Sequence, residues 1–375
     1  MSSFRPVFAV LALSSIGFST ILPIVGPKQY DVAITTFSLN DASRLDPFAK
    51  DNCTRSIMTS AYFPMADCHT KTLEPYVPPA TALFHDEKFA AYGLPNGTFS
   101  SLQLETCANA IQAQSHDPHA FPLVLFSPGL STSRFLYSNM LQSIAATGYT
   151  IVSIDHPYDA DFVEFPDGTS VTAVDLSTDA DIALALSTRI ADIAFLHRQL
   201  TTPASPHRIP NFSTKSPVAI FGHSLGGATA AAATTTTRTP AFRGALNIDG
   251  TMFGSILTAG TTAPLMLLAH RNKTLATDSS WAAAWPKVSA WKALYQVARA
   301  AHYSFSDLPL ITAATGLQHQ LPADAEQLLG GVAGERMQDV SVSYAAAFLD
   351  LVLKVRGDQA LREAGTKFAE VHRVA

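Results

Sequence analysis

A serine between two glycines is the part of this sequence best suited to chemistry. Gly222, Ser224 and Gly226 form a G-x-S-x-G pattern that follows the apolar run VAIF and precedes the small-residue run LGGATAAAA. Where a buried strand turns sharply into a helix, such glycines prevent side-chain clashes, and the serine hydroxyl stands exposed at the strand end. The helix N-terminus then favours developing negative charge. The pattern predicts that Ser224 is a nucleophile; the alternative is a tight turn with an inert serine.

A serine nucleophile requires a base, and the base requires an acid that orients it. The downstream candidates are the histidines His270, His302, His319 and His372 and the acids Asp249, Asp278 and Asp307. Asp249 ends the apolar run ALNI, so its carboxylate is expected at the same sheet edge as Ser224. His302 follows a stretch that we interpret as helical, in a loop able to cover the serine, whereas His270 directly ends a strand leading to the same edge. Both histidines are therefore candidate bases, and Asp278 is an alternative acid.

Acyl transfer also requires backbone N–H groups that bind the oxyanion. One predicted donor is Leu225, directly after Ser224. The other is Leu130, in the loop LFSPGLSTS that follows an earlier apolar run. The sequence therefore predicts an oxyanion hole made by Leu130 and Leu225.

Other polar residues near these positions have structural interpretations. His223 adjoins the nucleophile but is predicted to point away from it and to be hydrogen-bonded, while Asp155 precedes the serine in the chain and so does not fit the order of the triad. No Cys, His or Asp cluster has metal-ligand spacing, and neither phosphate-binding glycine motif occurs. We therefore expect no metal and no cofactor.

The elements that must position these residues are strands alternating with helices. The apolar runs are FPLVLFS, YTIVSID, PVAIFGH, GALNIDG and PLMLLAHR, and the amphipathic stretches are STSRFLYSNMLQSIAATG, DADIALALSTRIADIAFLHRQL and SVSYAAAFLDLVLKVRG. This alternation indicates βαβ units and a mostly parallel central sheet with helices on both faces. Upstream, YDVAITTFSL and RSIMTSAYFP predict an antiparallel N-terminal pair of strands, and the proline-punctuated region up to His119 is interpreted as an irregular surface excursion. Together with G-x-S-x-G this predicts an α/β-hydrolase fold, in one domain over residues 22–375.

The same pieces resemble the plasma-type platelet-activating-factor acetylhydrolases and their secreted microbial relatives. The resemblance lies in LPIVGPKQYDV, LFSPGLSTSRFLYS, GHSLGGAT, ALNIDGTMFG and AAHYSFSDLPLI. It implies a calcium-independent serine lipase of the α/β-hydrolase fold. It further implies Ser224 as nucleophile, Asp249 as acid, His302 as base, and Leu130 and Leu225 as oxyanion-hole donors. The substrate it implies is a phospholipid with a short or oxidised sn-2 acyl chain, as in a 1-alkyl-2-acetylglycerophosphocholine esterase.

Two departures from the family pattern leave the substrate open. Pro128 and Gly129 stand where the family has His-Gly, and Leu225 stands where it often has an aromatic residue. Because the oxyanion donors are backbone groups, the reaction is expected to survive both changes. The alternatives are a cutinase or polyester hydrolase, a general carboxylesterase, and a non-catalytic binding module, which the complete set of serine, acid and histidine disfavours.

Composition excludes some partners. The chain of 375 residues has a formal net charge of -5, and 15% of its residues are charged, against about 25% in an average soluble domain. No run of Lys or Arg occurs, so a nucleic-acid partner is not expected. We expect a lipid or ester substrate and a transient contact with a lipid interface. Nothing in the sequence specifies an oligomeric state.

The N-terminal sequence indicates that the protein is exported. Arg5 precedes the apolar stretch VFAVLALSSIGFSTILPIVG, which indicates a signal peptide over residues 1–19; the alternative is an uncleaved anchor. Glycosylation sequons begin at Asn52, Asn96, Asn211 and Asn272. Cys53 and Cys68 flank an apparent strand and are predicted to form a disulfide, which leaves Cys107 unpaired. We therefore expect a secreted glycoprotein.

Overall fold

The computed structural model describes most of the chain, namely residues 19–108, 121–202, 217–236, 241–354 and 356–375. The predicted signal segment, except for Ser19, and the sequon at Asn211 lie outside the described residues. Within the described ranges, no helix combines the length and the apolar character that a membrane span requires.

The strands are β1 (Thr20–Leu22), β2 (Asp31–Leu45), β3 (Thr54–Met65), β4 (Lys71–Pro75), β5 (Leu102–Cys107), β6 (Leu123–Ser127), β7 (Thr150–Asp155), β8 (Phe162–Glu164), β9 (Ser170–Thr172), β10 (Val218–His223), β11 (Ala245–Ile248), β12 (Leu265–Ala269), β13 (Lys292–Val297) and β14 (Val371–Arg373). The α-helices are α1 (Pro79–Ala90), α2 (Thr98–Ser101), α3 (Ser138–Ala145), α4 (Asp179–Thr201), α5 (Leu225–Ala233), α6 (Ile256–Ala259), α7 (Ser279–Ala284), α8 (Leu308–Ala314), α9 (Ala323–Leu329), α10 (Gly334–Leu353) and α11 (Gln359–Lys367). Short 3₁₀ helices cover Arg134–Tyr137, Trp285–Lys287 and His302–Phe305.

A nine-stranded sheet in the order β14-β13-β12-β11-β10-β6-β7-β3-β2 forms the centre of the molecule. Strands β13, β12, β11, β10, β6 and β7 are parallel, and β3 and β2 continue the sheet antiparallel at one edge. The predicted α/β-hydrolase architecture, with its antiparallel N-terminal pair, is confirmed. The antiparallel β14 at the other edge is an addition that its sequence did not predict.

The buried strands carry apolar side chains on both faces because helices cover both. In β6, Val124 and Phe126 pack into the core on one face, and Leu123 and Leu125 pack into the core on the other. This alternation is the two-residue period of a strand, and burial on both faces explains why the run is apolar up to Ser127.

Two helices that the sequence predicted have clear causes in the structure. Helix α4 begins with a capping box in which Thr178 and Asp181 satisfy each other's backbone N–H groups. Helix α5 consists of small residues because it lies close to the sheet: a Cβ atom on Gly227 would stand 2.2 Å from the Asn247 side chain.

Two parts of the sequence interpretation are wrong. The proline-punctuated region contains α1, α2 and β5, with buried Phe89 and Phe99; its prolines start α1 at Pro79 rather than prevent a helix. The stretch before His302 is strand β13 rather than a helix. Its helix-favouring residues are overridden because it is hydrogen-bonded between β12 and β14.

The predicted Cys53–Cys68 disulfide is also wrong. Cys68 bonds to Cys107, with the Cα atoms 5.7 Å apart, and Cys53 is free and exposed. Strand β3 has 12 residues and separates Cys53 from Cys68; extended, it spans about 40 Å, far beyond the roughly 7 Å limit for a disulfide. Cys107 is reached instead because β5 folds back on β4, which places Cys107 opposite Lys71.

The disulfide supplies a stability prediction. The bond closes a segment with a sequence separation of 39, so the double variant Cys68→Ser/Cys107→Ser is expected to unfold at lower denaturant concentration, losing about 3–4 kcal/mol. Urea titration followed by circular dichroism measures this loss. Cys53→Ser is the matched control and is expected to keep the wild-type midpoint; an equal loss in Cys53→Ser would contradict the assignment.

Candidate active site

Ser224 occupies a sharp turn between a strand and a helix. It follows β10 and precedes α5, with φ 55° and ψ -125°, a conformation that is strained for any residue with a side chain. A Cβ atom on Gly222 would come within 2.4 Å of the Gly226 backbone, and one on Gly226 within 1.9 Å of the Ser127 carbonyl oxygen. Both positions of the G-x-S-x-G pattern therefore require glycine on steric grounds.

The structure brings the predicted serine, histidine and acid together in one hydrogen-bonded chain. The distance from Ser224 Oγ to His302 Nε2 is 3.0 Å, and from His302 Nδ1 to Asp249 Oδ2 it is 2.5 Å. Asp249 follows β11, and His302 lies in the loop after β13. Asp249 is fully buried, whereas the His302 side chain is 38% exposed.

The charge state of Asp249 determines the direction of the hydrogen bonds. Burial raises the pKa of this carboxyl, but hydrogen bonds from His270 and His302 and the charge of Lys273 outweigh it and hold the pKa well below its usual range. An ionised carboxylate only accepts hydrogen bonds, so His302 Nδ1 carries the proton. The bare Nε2 then faces the Ser224 hydroxyl, and the arrangement can withdraw its proton.

Asp278, the alternative acid, and Asp155, which the order of the triad disfavours, have other partners. Asp278 is the N-cap of α7 and accepts hydrogen bonds from the backbone N–H groups of Ser280 and Trp281. Asp155 is buried in an ion pair with Arg134. Neither contacts a histidine in the described part of the chain, so the structure brings only Asp249 to the serine and its base.

His270, the other candidate base, contacts the acid rather than the serine. Its ring Nδ1 lies 2.7 Å from Asp249 Oδ1, and its backbone N–H donates to the same oxygen over 3.0 Å. The structure therefore places two histidines on one carboxylate, of which only His302 reaches Ser224.

His223 is buried and hydrogen-bonded, as predicted. Its Nδ1 lies 2.8 Å from the Tyr137 hydroxyl and its Nε2 lies 2.9 Å from the His302 carbonyl oxygen. Because a carbonyl can only accept, Nε2 carries the proton and Nδ1 accepts from Tyr137. Burial, and then the nearby His302, lower the pKa of His223 to about 3, so the ring is neutral and anchors the loop that carries His302.

His223, Asp249 and His302 also offer nitrogen and oxygen atoms within 4.8 Å of one another, a grouping that sequence spacing did not indicate. Each ring nitrogen of the two histidines already faces a protein partner. The donor set therefore fits a hydrogen-bonded proton relay better than a metal site.

The two predicted oxyanion donors belong to segments that lie next to the serine. Leu225 is the first residue of α5, so its N–H has no acceptor within the helix. The loop containing Leu130 lies against the nucleophile: a Cβ atom on Gly129 would be 3.4 Å from Ser224 Cβ. The arrangement can present two backbone N–H groups to an oxyanion formed at Ser224.

Comparison with known proteins agrees with this geometry. The family model described as platelet-activating factor acetylhydrolase, isoform II, matches residues 48–163 and 209–363. The chain belongs to this family. The resemblance in the sequence is confirmed, and the protein is an ester hydrolase.

Two individual proteins extend the comparison. A curated relative from Arthroderma benhamiae, named "Probable 1-alkyl-2-acetylglycerophosphocholine esterase", is 29% identical over 381 residues, covering 96% of this chain and 95% of the relative. The solved structure of a ferulic acid esterase from Streptomyces cinnamoneus superposes with a TM-score of 0.80 at 27% identity, covering 95% of this chain and 100% of that one. Both are esterases that match this chain over nearly its whole length.

The sequence did not lead us to a buried arginine beneath the loop LFSPGLSTS, which contains Leu130 and is called the oxyanion loop below. Arg189 on α4 donates to the carbonyl oxygens of Pro128 over 2.6 Å and Gly129 over 3.1 Å, and it pairs with Asp159. These bonds fix the two residues before Leu130. The signal was present, because Arg189 is three residues after Leu186, on the apolar stripe of the predicted helix.

The support that Arg189 gives to the oxyanion loop can be tested with a conservative variant. Arg189→Lys keeps the charge opposite Asp159, but an ammonium lacks the planar fork that holds two carbonyl oxygens together. We expect kcat on a short-chain ester to fall about tenfold or more, with KM little changed, because the oxyanion donors are less well oriented. Steady-state kinetics measure both constants. An unchanged kcat in a folded variant would contradict the role of Arg189.

A second serine, histidine and acid lie behind the same loop. Ser127 Oγ is 3.0 Å from His156 Nε2, and His156 Nδ1 is 2.9 Å from Asp192 Oδ2. All three are buried, and burial together with the charge of Arg189 lowers the pKa of His156 to about 4. Because no substrate reaches this set, it resembles the Ser224 group in residue types but supports the loop instead of reacting.

Apolar surfaces flank the site of the esterase. A pocket of about 90 Å³ has a lining that includes Phe89, Leu94, Thr132, Leu136, Tyr303 and Leu308. It adjoins the site because Tyr303 follows His302 directly and Thr132 belongs to the oxyanion loop. Next to Leu130 and Leu225, the partly buried Phe48 and Phe253 form a second apolar surface.

Proposed function

We propose that the protein is a secreted serine esterase that removes short sn-2 acyl chains from phospholipids of the 1-alkyl-2-acetylglycerophosphocholine type. The observation that carries the reaction is the chain from Ser224 through His302 to Asp249. The curated relative named as such an esterase supports the substrate class.

In the proposed reaction, Ser224 Oγ attacks the ester carbonyl while His302 Nε2 takes its proton. Asp249 stabilises the resulting imidazolium, and the Leu130 and Leu225 N–H groups bind the oxyanion. His302 then gives its proton to the leaving alkoxide, which departs as the alcohol and leaves an acyl-enzyme. A water molecule, deprotonated by His302, attacks the acyl-enzyme and releases the acid and free Ser224. No step uses calcium.

A general carboxylesterase is the second candidate. It is favoured by the similarity to a ferulic acid esterase, whose 27% identity is close to that of the phospholipid-esterase relative at 29%. The flanking apolar surfaces suit either an alkyl chain or an aromatic acyl group. We group a cutinase or polyester hydrolase with this second candidate.

A substrate panel separates these candidates. We expect 1-alkyl-2-acetylglycerophosphocholine to be hydrolysed with a higher kcat/KM than long-chain phosphatidylcholine, methyl ferulate or a polyester film, with no loss in the presence of a calcium chelator. The Ser224→Ala variant is the blank for every substrate. A higher kcat/KM for methyl ferulate or polyester would overturn the phospholipid assignment and leave the esterase chemistry in place.

The proposal includes a transient contact with a lipid interface. It is supported by two exposed apolar residues: Leu83 on α1, which is 69% exposed, and Tyr92 after α1, which lines the pocket and is 41% exposed. Sedimentation with phosphatidylcholine vesicles measures the contact. Equal binding of the wild type and Leu83→Ser/Tyr92→Ser would contradict this surface.

Secretion and glycosylation are also proposed. They are supported by a disulfide bond and by exposed side chains at Asn52, Asn96 and Asn272. Expression in a eukaryotic host should release into the medium a protein whose mass falls on deglycosylation. A form lacking residues 1–19 should stay in the cell. Recovery of the full chain in the membrane pellet would indicate the anchor instead of a signal peptide.

A further inference from the structure

We propose that His270 is a positioning residue for Asp249, and this inference rests on the proposed serine-esterase function. The carboxylate of Asp249 receives the His302 ring at Oδ2 over 2.5 Å. His270 holds the other side: its backbone N–H and its ring Nδ1 both reach Oδ1, over 3.0 Å and 2.7 Å, and Nδ1 is also 2.8 Å from Oδ2.

The protonation of this second histidine follows from its partner. Asp249 is an acceptor, so His270 Nδ1 donates, and the proton on its ring stays at Nδ1 when the ring is neutral. The side chain of His270 is 31% exposed, in contrast to the fully buried carboxylate. His270 therefore reaches from solvent to the acid, whereas His302 reaches from the acid to Ser224.

The geometry gives His270 a mechanical effect. A buried carboxylate held at only one oxygen by a ring can turn about its terminal torsion, because that torsion has a broad minimum. The ring of His270 opposes this rotation and keeps Oδ2 directed at His302. Without the ring, the backbone N–H of residue 270 is the one donor left to Oδ1 among the residues that the structure describes. The imidazole of His302 is then less well aligned with Ser224.

The geometry also gives His270 an electrostatic effect. The N–H dipole of its ring, directed at Asp249, partly compensates the negative charge of this buried carboxylate. The other charges facing this region are Lys273, which donates to the Asp249 carbonyl oxygen over 2.9 Å, and Asp278, which pairs with Lys273 at 3.3 Å. Arg271 and Arg299 are on adjoining loops, and the facing residue of β13, Gln296, is neutral.

Two variants separate positioning from packing. His270→Leu removes the ring donor, and we expect kcat on p-nitrophenyl acetate to fall about 10- to 100-fold with KM little changed. His270→Asn keeps an N–H donor next to Oδ1, so we expect it to retain most of kcat.

The outcomes are distinct. A wild-type kcat in His270→Leu would overturn the inference, and equal losses in His270→Leu and His270→Asn would mean that the ring acts only by packing. The exposed His319, outside the site, supplies the control His319→Asn, which should match the wild type. Failure of the proposed function would appear separately, as a wild-type protein that hydrolyses no ester and whose Ser224 is not labelled by a fluorophosphonate.

Discussion

Ser224→Ala is expected to lower kcat on a short-chain ester about a millionfold and to leave the fold intact. The hydroxyl is the group that forms the acyl-enzyme, so its loss removes the covalent route altogether. The backbone of the turn is unaffected, because the Ser224 N–H donates to the Ile248 carbonyl oxygen and its own carbonyl accepts from Ala228. Alanine has the same Cβ atom as serine and adopts the positive φ at the same cost.

The measurement is steady-state hydrolysis of p-nitrophenyl acetate, combined with labelling by a fluorophosphonate probe. The wild type should be labelled and the variant should not. Ser187, exposed on α4, supplies the matched control, since its hydroxyl only donates to the Leu184 carbonyl oxygen. Ser187→Ala should keep full activity and labelling, and full activity in Ser224→Ala would refute the mechanism.

The positions of Ser224 and Asp249 in the candidate site were predictable, because both residues lie at strand ends that are visible in the sequence. Ser224 stands between glycines after a continuous apolar run, and Asp249 ends another such run. In a parallel sheet the carboxyl ends of neighbouring strands meet at one edge, and β10 and β11 are neighbours in the structure. Strand ends therefore carried most of the information about the site.

Which histidine contacts Ser224 was not predictable from the residues alone, because His270 and His302 approach the same edge. The structure explains the difference. His270 directly follows β12, which is next to β11, so its short reach ends at Asp249. His302 comes from a loop after β13 that folds back over the sheet and reaches Ser224. Loop geometry of this kind depends on tertiary packing and leaves no periodic pattern in the sequence.

The disulfide and Arg189 are two further features that the sequence analysis did not predict, for different reasons. The pairing of Cys68 with Cys107 depends on how β5 returns alongside β4, which local patterns do not reveal. Arg189, by contrast, was visible in the sequence, because it is a charged residue on the apolar stripe of a helix that was otherwise well predicted. A buried charge requires partners, and these are the carboxylate of Asp159 and the carbonyl groups of Pro128 and Gly129.

Asp249→Asn is expected to lower kcat about ten-thousandfold, while KM changes little. An amide in place of the carboxylate no longer requires His302 to carry its proton on Nδ1. The ring then adopts the tautomer with a proton on Nε2, which cannot accept from the Ser224 hydroxyl, and no negative charge stabilises the imidazolium. Asp278→Asn is the matched control, because asparagine caps α7 nearly as well as aspartate, and we expect wild-type kinetics with a stability change below about 1 kcal/mol.

The variant Asp249→Asn also has a consequence for acid stability. Because the pKa of Asp249 is held below its ordinary value of 3.8, its ionised form stabilises the fold above that pH, and the contribution is lost as the pH falls through the folded-state value. Asp249→Asn should therefore flatten the decline of the unfolding free energy below about pH 4. Urea titrations at several pH values measure this decline.

The kinetic prediction for these two variants has a contrary outcome. If Asp278→Asn instead lost activity by orders of magnitude while Asp249→Asn kept it, the acid would be Asp278, and the contact between Asp249 and His302 would have no catalytic role.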